Sequence, residues 1–160
     1  MAEQKTNVMR MLEQKKIPYA AHSYPHGDEA VDGLTVAAIT GQDPARVFKT
    51  LVAQGASRQI FVFVIPVSAE LDLKKAAKAA GEKSVAMVRV SELQGLTGYV
   101  RGGCSPIGMK KQYPSFFHSS IGQLDTVLVS AGRIGWQVEL APAELLKLTR
   151  GRTAELTVEV

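Results

Sequence analysis

Apolar side chains fall at helical spacing near the start of the chain. Val8, Met11 and Leu12 stand at i, i+3 and i+4, which predicts an amphipathic helix over residues 7–16, stopped by Pro18. Residues 19–24 read as a short strand, and Pro25, His26, Gly27 and Asp28 as the loop after it. Residues 34–40 read as a short helix closed by Gly41. Two runs rich in Val, Phe, Leu and Ile, 46–53 and 60–65, enclose Gln54-Gly55-Ala56-Ser57-Arg58 and predict a hairpin with a five-residue turn. Asp72 is placed to cap a helix that runs to Ala80 and stops at Gly81. A strand over 84–88 follows. Ser91-Glu92-Leu93-Gln94 then has the spacing of a capping box that opens one helical turn. Gly102-Gly103-Cys104-Ser105-Pro106-Ile107-Gly108 reads as a tight loop, and 115–118, 126–129 and 135–140 as strands. Pro142 opens a last helix through residue 148, and 156–160 is expected to end the chain as a strand.

Strands and helices are interleaved, yet some strands are joined by short loops. The pattern therefore predicts an α/β fold, a single domain over residues 1–160 with a mixed, partly barrel-like β-sheet surrounded by short helices. No repeat, linker or low-complexity segment interrupts it.

Composition agrees with that reading and narrows the setting. Of 160 residues, 46% are hydrophobic and 21% charged, ordinary for a globular chain that buries its own core. The longest apolar run, 60–67, is strand-sized and far below the ~20 residues of a membrane span. Residues 1–16 lack the apolar centre of a signal peptide. Cys104 is the single cysteine, so no intramolecular disulfide can form, which suits a reducing compartment; a cytoplasmic location is expected. Lys plus Arg is 19 against 15 Asp plus Glu, and the net charge of +4 favours an anionic partner such as RNA.

The candidate chemistry is sparse. His22, His26 and His118 do not combine with Cys104 into a zinc spacing, and no metal is expected. Cys104 sits beside glycines whose N–H groups could serve an oxyanion, so it reads either as a nucleophile or as a small buried hydrophobe. No serine stands in a nucleophile elbow, and no phosphate loop of Walker spacing occurs. Lys49, inside an apolar strand, is either solvated or aimed into a cleft. The residues alone leave a basic α/β domain with a glycine-rich turn.

Three blocks carry more. Phe48-Lys49-Thr50-Leu51, the segment 71–78 and the segment 97–111 resemble the YbaK family of aminoacyl-tRNA deacylases in order and spacing, and Val129-Ser130-Ala131-Gly132-Arg133-Ile134-Gly135 continues the likeness. It covers nearly the whole chain. The resemblance implies a free-standing relative of the editing domain inserted in some prolyl-tRNA synthetases, acting in trans to hydrolyse Cys-tRNA(Pro). Such a second site is needed because an apolar pocket separates near-isosteres by only ~1–3 kcal/mol. The mechanism it implies makes the substrate the nucleophile: the sulfur of the bound cysteine attacks its own ester carbonyl and expels the ribose hydroxyl. No metal or organic cofactor is implied. The implied partners are the aminoacylated tRNA 3′ end and prolyl-tRNA synthetase, with no membrane and no DNA.

Carried over to this chain, the resemblance makes Lys49 the residue that holds the terminal adenosine or its phosphate and balances charge on the ester. Gly102 and Gly103 supply N–H groups to the oxyanion. Tyr24, Thr50, Ser105, Ser130 and Gly132 contact the aminoacyl end. Cys104 becomes a non-catalytic residue, since many relatives carry an aliphatic side chain there. Some positions depart from the family pattern. The loop after Tyr24 is shorter, His26 stands where an aromatic is frequent, and Ala131 stands where Gly-Gly is usual. Ile134 replaces a basic residue, and Gln137 stands where some relatives have an acid. These departures leave open a deacylase for Ala-tRNA(Pro) or another small aminoacyl-tRNA. A non-catalytic adaptor for a synthetase or tRNA end also stays open.

Overall fold

The computed structural model describes residues 5–27 and 31–159. Asp28, expected in the loop after Tyr24, and Val160, expected in a terminal strand, lie outside them.

Helix α1 (Asn7–Gln14) starts where the Thr6 hydroxyl accepts the Met9 N–H at 3.2 Å. It buries Val8, Met9 and Leu12; Met11 is only partly covered, so the buried stripe is rotated from the one the spacing predicts. Strand β1 (Ala20–Ser23) and helix α2 (Gly33–Thr40) follow, the helix ending at Gly41 in the left-handed conformation. Strands β2 (Phe48–Gly55) and β3 (Ile60–Pro66) form the expected antiparallel hairpin. Asp72 caps α3 (Leu73–Ala80) by accepting from the N–H groups of Lys74 and Lys75. Strand β4 (Val85–Met87), helix α4 (Val90–Thr97) and strand β5 (Ser115–His118) come next. Strands β6 (Val127–Ser130) and β7 (Trp136–Leu140), helix α5 (Pro142–Thr149) and strand β8 (Arg152–Ala154) complete the order.

Two expectations are corrected. The capping box at Ser91 does not form: α4 begins at Val90, capped by extended Arg89 without a side-chain bond, which leaves Ser91 inside the first turn of an eight-residue helix. The terminal strand lies earlier than the apolar run suggests. Backbone pairing with β5 selects the polar Arg152–Ala154, because an edge strand needs ladder partners on one side only. Leu156 is instead a fully buried plug under α3, and Thr157 makes an isolated bridge to Leu71.

The strands form two sheets rather than one, and no barrel closes. One is antiparallel in the order β1-β7-β6; the other is mixed in the order β4-β2-β3-β5-β8, with β5 parallel to both its neighbours. They meet at a parallel bridge between Val47 and Leu128, supported by Leu128 N–H donating to the Arg46 carbonyl at 2.9 Å. One core packs Phe48, Val62, Val64 and Phe117 with Val129, Val138, α1 and Leu145 of α5. A second lies on the other face of the five-stranded sheet, where Ala76 and Ala77 of α3 cover Ala53, Phe61, Phe63, Ile65 and Phe116. Phe63 and Phe116 stack there at 5.7 Å.

A polar cluster pins the entry to β2. Glu139 accepts from Arg46 at 2.6 Å and pairs with His22 Nε2 at 2.8 Å, while the Thr126 hydroxyl bonds both Arg46 and Glu139. The Thr126 hydroxyl above all, then His22 and Arg46, hold the Glu139 carboxyl below its ordinary range.

Candidate functional site

Strand alternation fixes where Lys49 points. It pairs with Ile65 across the hairpin and shares a face with Val47 and Leu51. On β6, Ser130 shares a face with Leu128. Because Val47 and Leu128 are bridged in parallel, Lys49 and Ser130 stand level on neighbouring strands and on the same side. Among the described residues no pairing continues past the bridge, and β4 joins β2 only from Ala53 onward, so no ladder ties the two strands together at Lys49. The Lys49 side chain is half-buried. It has no ion-pair or hydrogen-bond partner among the described residues. Thr50 points to the other face, opposite Val64, with its hydroxyl buried and unpartnered among the described residues. The structure therefore does not bring Thr50 to the side of Lys49.

The loop after Ser130 is a hub for several expected site residues. The Ser130 hydroxyl accepts the Gly132 N–H at 3.1 Å, and Gly132 (φ 94°) lies against the Tyr99 ring. Ala131, fully buried, donates its N–H to the Trp136 carbonyl at 3.0 Å and closes the loop. Tyr24 is buried and donates its N–H to the Gly135 carbonyl at 2.9 Å; the His26 imidazole lies directly over Gly135, edge-on to the Tyr24 ring at 6.4 Å. An imidazole thus forms this part of the wall.

The glycine turn packs against the same loop. The Val100 carbonyl accepts the Gly103 N–H at 3.0 Å, and Gly102 has φ 84°, the third-position geometry of a type II turn that favours glycine. Gly103 touches the backbone of Arg133 and Ile134 so closely that a Cβ there would lie 3.0 Å from Ile134 N. This corrects one expectation: the Gly103 N–H is spent inside its own turn. The N–H of exposed Gly102 has no bond among the described residues. Ser105 is fully buried, and its hydroxyl accepts the Ile107 N–H at 3.2 Å; it shapes the loop instead of facing a ligand.

Cys104 is inert. Its side chain is 8% exposed, and burial pushes the thiol up to about 11, only partly offset by the Thr97 hydroxyl. Tyr99, also raised to about 12 by burial first and by Cys104 second, donates its hydroxyl to the Ile107 carbonyl at 2.5 Å and staples the loop. Among the described residues no group of His, Cys, Asp and Glu is arranged to hold a metal. No described helix is long and apolar enough to cross a membrane. Sequence reasoning missed the Glu139–Arg46–His22 cluster, whose members lie far apart in the chain and announce themselves by no spacing.

Comparison with known proteins places this arrangement. Residues 29–148 match the model of the aminoacyl-tRNA editing domain. The chain is 47% identical over 157 residues to EbsC of Enterococcus faecalis, a protein named as a Cys-tRNA(Pro)/Cys-tRNA(Cys) deacylase; the match covers 98% of this chain and 96% of that one. Two crystal structures share the fold. One is named as a trans-editing enzyme for prolyl tRNA synthetase (TM-score 0.82, 22% identity, covering 98% of this chain and 100% of that one). The other is the hypothetical protein APE2540 (TM-score 0.84, 21% identity, covering 94% and 99%). The likeness carried by the Lys49 strand, the glycine turn and the Ser130 loop is therefore one of descent, and the chain belongs to the aminoacyl-tRNA editing domain family.

Proposed function

We propose that this chain, acting over its whole length as one editing domain in the cytosol, deacylates Cys-tRNA(Pro) released by prolyl-tRNA synthetase. The observation that carries the reading is a Lys49 ammonium that has no partner among the described residues and stands level with Ser130, together with a Gly102 N–H that makes no bond among them. Family membership and the 47% identical deacylase support it.

The chemistry needs little from the protein beyond placement. A free cysteine thiol ionises near pH ~8.5, so the substrate carries some thiolate at neutral pH. That sulfur attacks the ester carbonyl of its own aminoacyl group. A C–S bond forms, the bond to the ribose oxygen breaks, and the thiol proton ends on that oxygen. The four-membered thiolactone released then takes up water to give free cysteine. Folding the cargo back on itself can contribute up to ~7–11 kcal/mol when alignment is ideal. Lys49 balances the charge on the ester or holds the terminal phosphate, and Gly102 donates to the carbonyl oxygen. Tyr24, Ser130 and Gly132 orient the aminoacyl group.

The test compares Cys-tRNA(Pro) with Ser-tRNA(Pro), whose hydroxyl is a far weaker nucleophile. Rapid loss of the cysteinyl ester and background loss of the seryl ester are expected. Equal rates on the two would remove the substrate thiol from the mechanism, and buffer rates on both would end the deacylase reading.

A further inference from the structure

A cavity of about 520 Å³ opens at the far end of the five-stranded sheet, and its rim is cationic. Lys78 comes from the last turn of α3, Arg150 from the C-cap of α5 and Arg152 from β8. All three are exposed, none has an ion-pair partner among the described residues, and the lining contains no carboxylate. The acids nearest along the chain are engaged elsewhere: Glu155 accepts from the Ser119 hydroxyl, and Glu82 accepts from the N–H and hydroxyl of Ser57. Arg150 holds φ 56°, a left-handed cap position that glycine or asparagine takes more easily. Three separate elements thus aim uncompensated positive charge at one hollow, which attracts anions.

The floor of the hollow says which anion. Phe61 and Phe116 line it but are buried, so no aromatic face is offered for a base to stack on. The cavity also lies on the Lys49 face of the sheet. Phe61 pairs with Ala53 and Ile65 with Lys49 on one ladder, four residues apart or ~13 Å at ~3.3 Å per residue. Helix α3 lies along that face, and its exposed Lys74 and Lys78 stand one turn apart on the same side.

We propose that Lys78, Arg150 and Arg152 form a docking site for backbone phosphates of the tRNA acceptor strand whose 3′ ester lies at Lys49. The proposal rests on the deacylase reading for the identity of the RNA. The contacts are to phosphates, so they position the strand without reading its sequence.

The experiment measures binding of uncharged tRNA(Pro) by fluorescence anisotropy across salt concentrations, and hydrolysis of a cysteinyl ester of adenosine alone. The triple variant Lys78→Gln, Arg150→Gln, Arg152→Gln is compared with a charge-matched control, Lys15→Gln, Lys16→Gln, Lys111→Gln. Thermal melts check that both fold. In the first variant the slope of log affinity against log salt should flatten by about 2–3, at ~0.7–0.9 per phosphate lost, and affinity should fall about tenfold or more. The control should bind as the parent does, and the adenosine ester should be cleaved at the parent rate by both. An unchanged slope in the first variant, an equal loss in the control, or no tRNA binding by the parent overturns the docking site. Loss of tRNA affinity in the first variant alone, with no ester cleaved by the parent, leaves the docking site standing and rejects the deacylase reading instead.

Discussion

Lys49 and Ser130 stand level with each other, each two residues past the Val47–Leu128 bridge and on the face that carries the bridged pair. Backbone pairing stops there, and the Lys49 amine pairs with no carboxylate among the described residues. An ammonium without a partner adds little to stability, and its removal should be structurally cheap. Lys49→Ala should change unfolding free energy by no more than ~1 kcal/mol, since it breaks no hydrogen bond or ion pair among the described residues and trims only a half-buried stem. Its kcat/KM on Cys-tRNA(Pro) should fall by about 10²–10³, the range seen when one stabiliser of developing charge is removed. Single-turnover deacylation beside a thermal melt checks both. Full turnover by the folded variant would take Lys49 out of the site.

Gly103 couples the turn to the Ser130 loop without itself facing substrate. A Cβ there meets the backbone of Arg133 and Ile134 at 3.0–3.2 Å, and backbone gives way less easily than a side-chain tip. Gly103→Ala should therefore push the Gly102 N–H outward by a few tenths of an ångström. Misplacements approaching 1 Å cost ~10²-fold, so a loss of about tenfold in kcat is expected. KM should stay close to the parent value, because Lys49 and the basic rim are untouched. Steady-state kinetics separates the two, and a change confined to KM would contradict the donor role of Gly102.

How much of this could be read from the chain depends on how local each signal is. Asp72 and Gly81 bracket α3 as expected, because cap and stop act through the nearest turn of backbone. The hairpin of β2 and β3 was legible for the same reason. The C-terminal strand was not: Leu156 is apolar because it plugs the core under α3, while Arg152–Ala154 pair with β5 through backbone alone. At the site, the sequence blocks pointed to Lys49, Gly102 and Ser130, and the fold places Ser130 level with Lys49. It could not show that the Gly103 N–H is spent on Val100, that Ser105 is buried, or that Thr50 faces away, since each depends on the register and depth of a loop or strand.

The Glu139 cluster makes an acid-side prediction. The Thr126 hydroxyl, then His22 and Arg46, favour the carboxylate, so its folded pKa lies below the ordinary 4.5. A depressed carboxyl contributes stability that is fully present above its unfolded pKa and is lost as pH falls through the folded one. Unfolding midpoints should therefore decline below about pH 4.5. Glu139→Gln should be less stable than the parent at neutral pH and should show a shallower decline on acidification. An equal slope in parent and variant would assign the acid sensitivity to other carboxylates.

The alkaline side tests Cys104 in two ways. Its thiol is raised from the ordinary 9.0 to about 11 by burial, so the folded chain keeps a proton that the unfolded chain releases. Between those values the folded state binds more protons, and stability falls as pH rises; below pH 9 both states are protonated and the effect vanishes. A gap of two units corresponds to about 2–3 kcal/mol over that window. Tyr99, raised to about 12, extends the decline to higher pH. Cys104→Ala should remove the first part of the decline and leave the part due to Tyr99, at a packing cost of ~1 kcal/mol at neutral pH. Denaturant unfolding at pH 8.5, 10 and 11 measures the difference. The same variant should deacylate Cys-tRNA(Pro) at the parent rate at pH 7.5, because a thiol held protonated does not attack an ester. Loss of turnover with the fold intact would instead make Cys104 the nucleophile, and would require the loop around it to open before reaction.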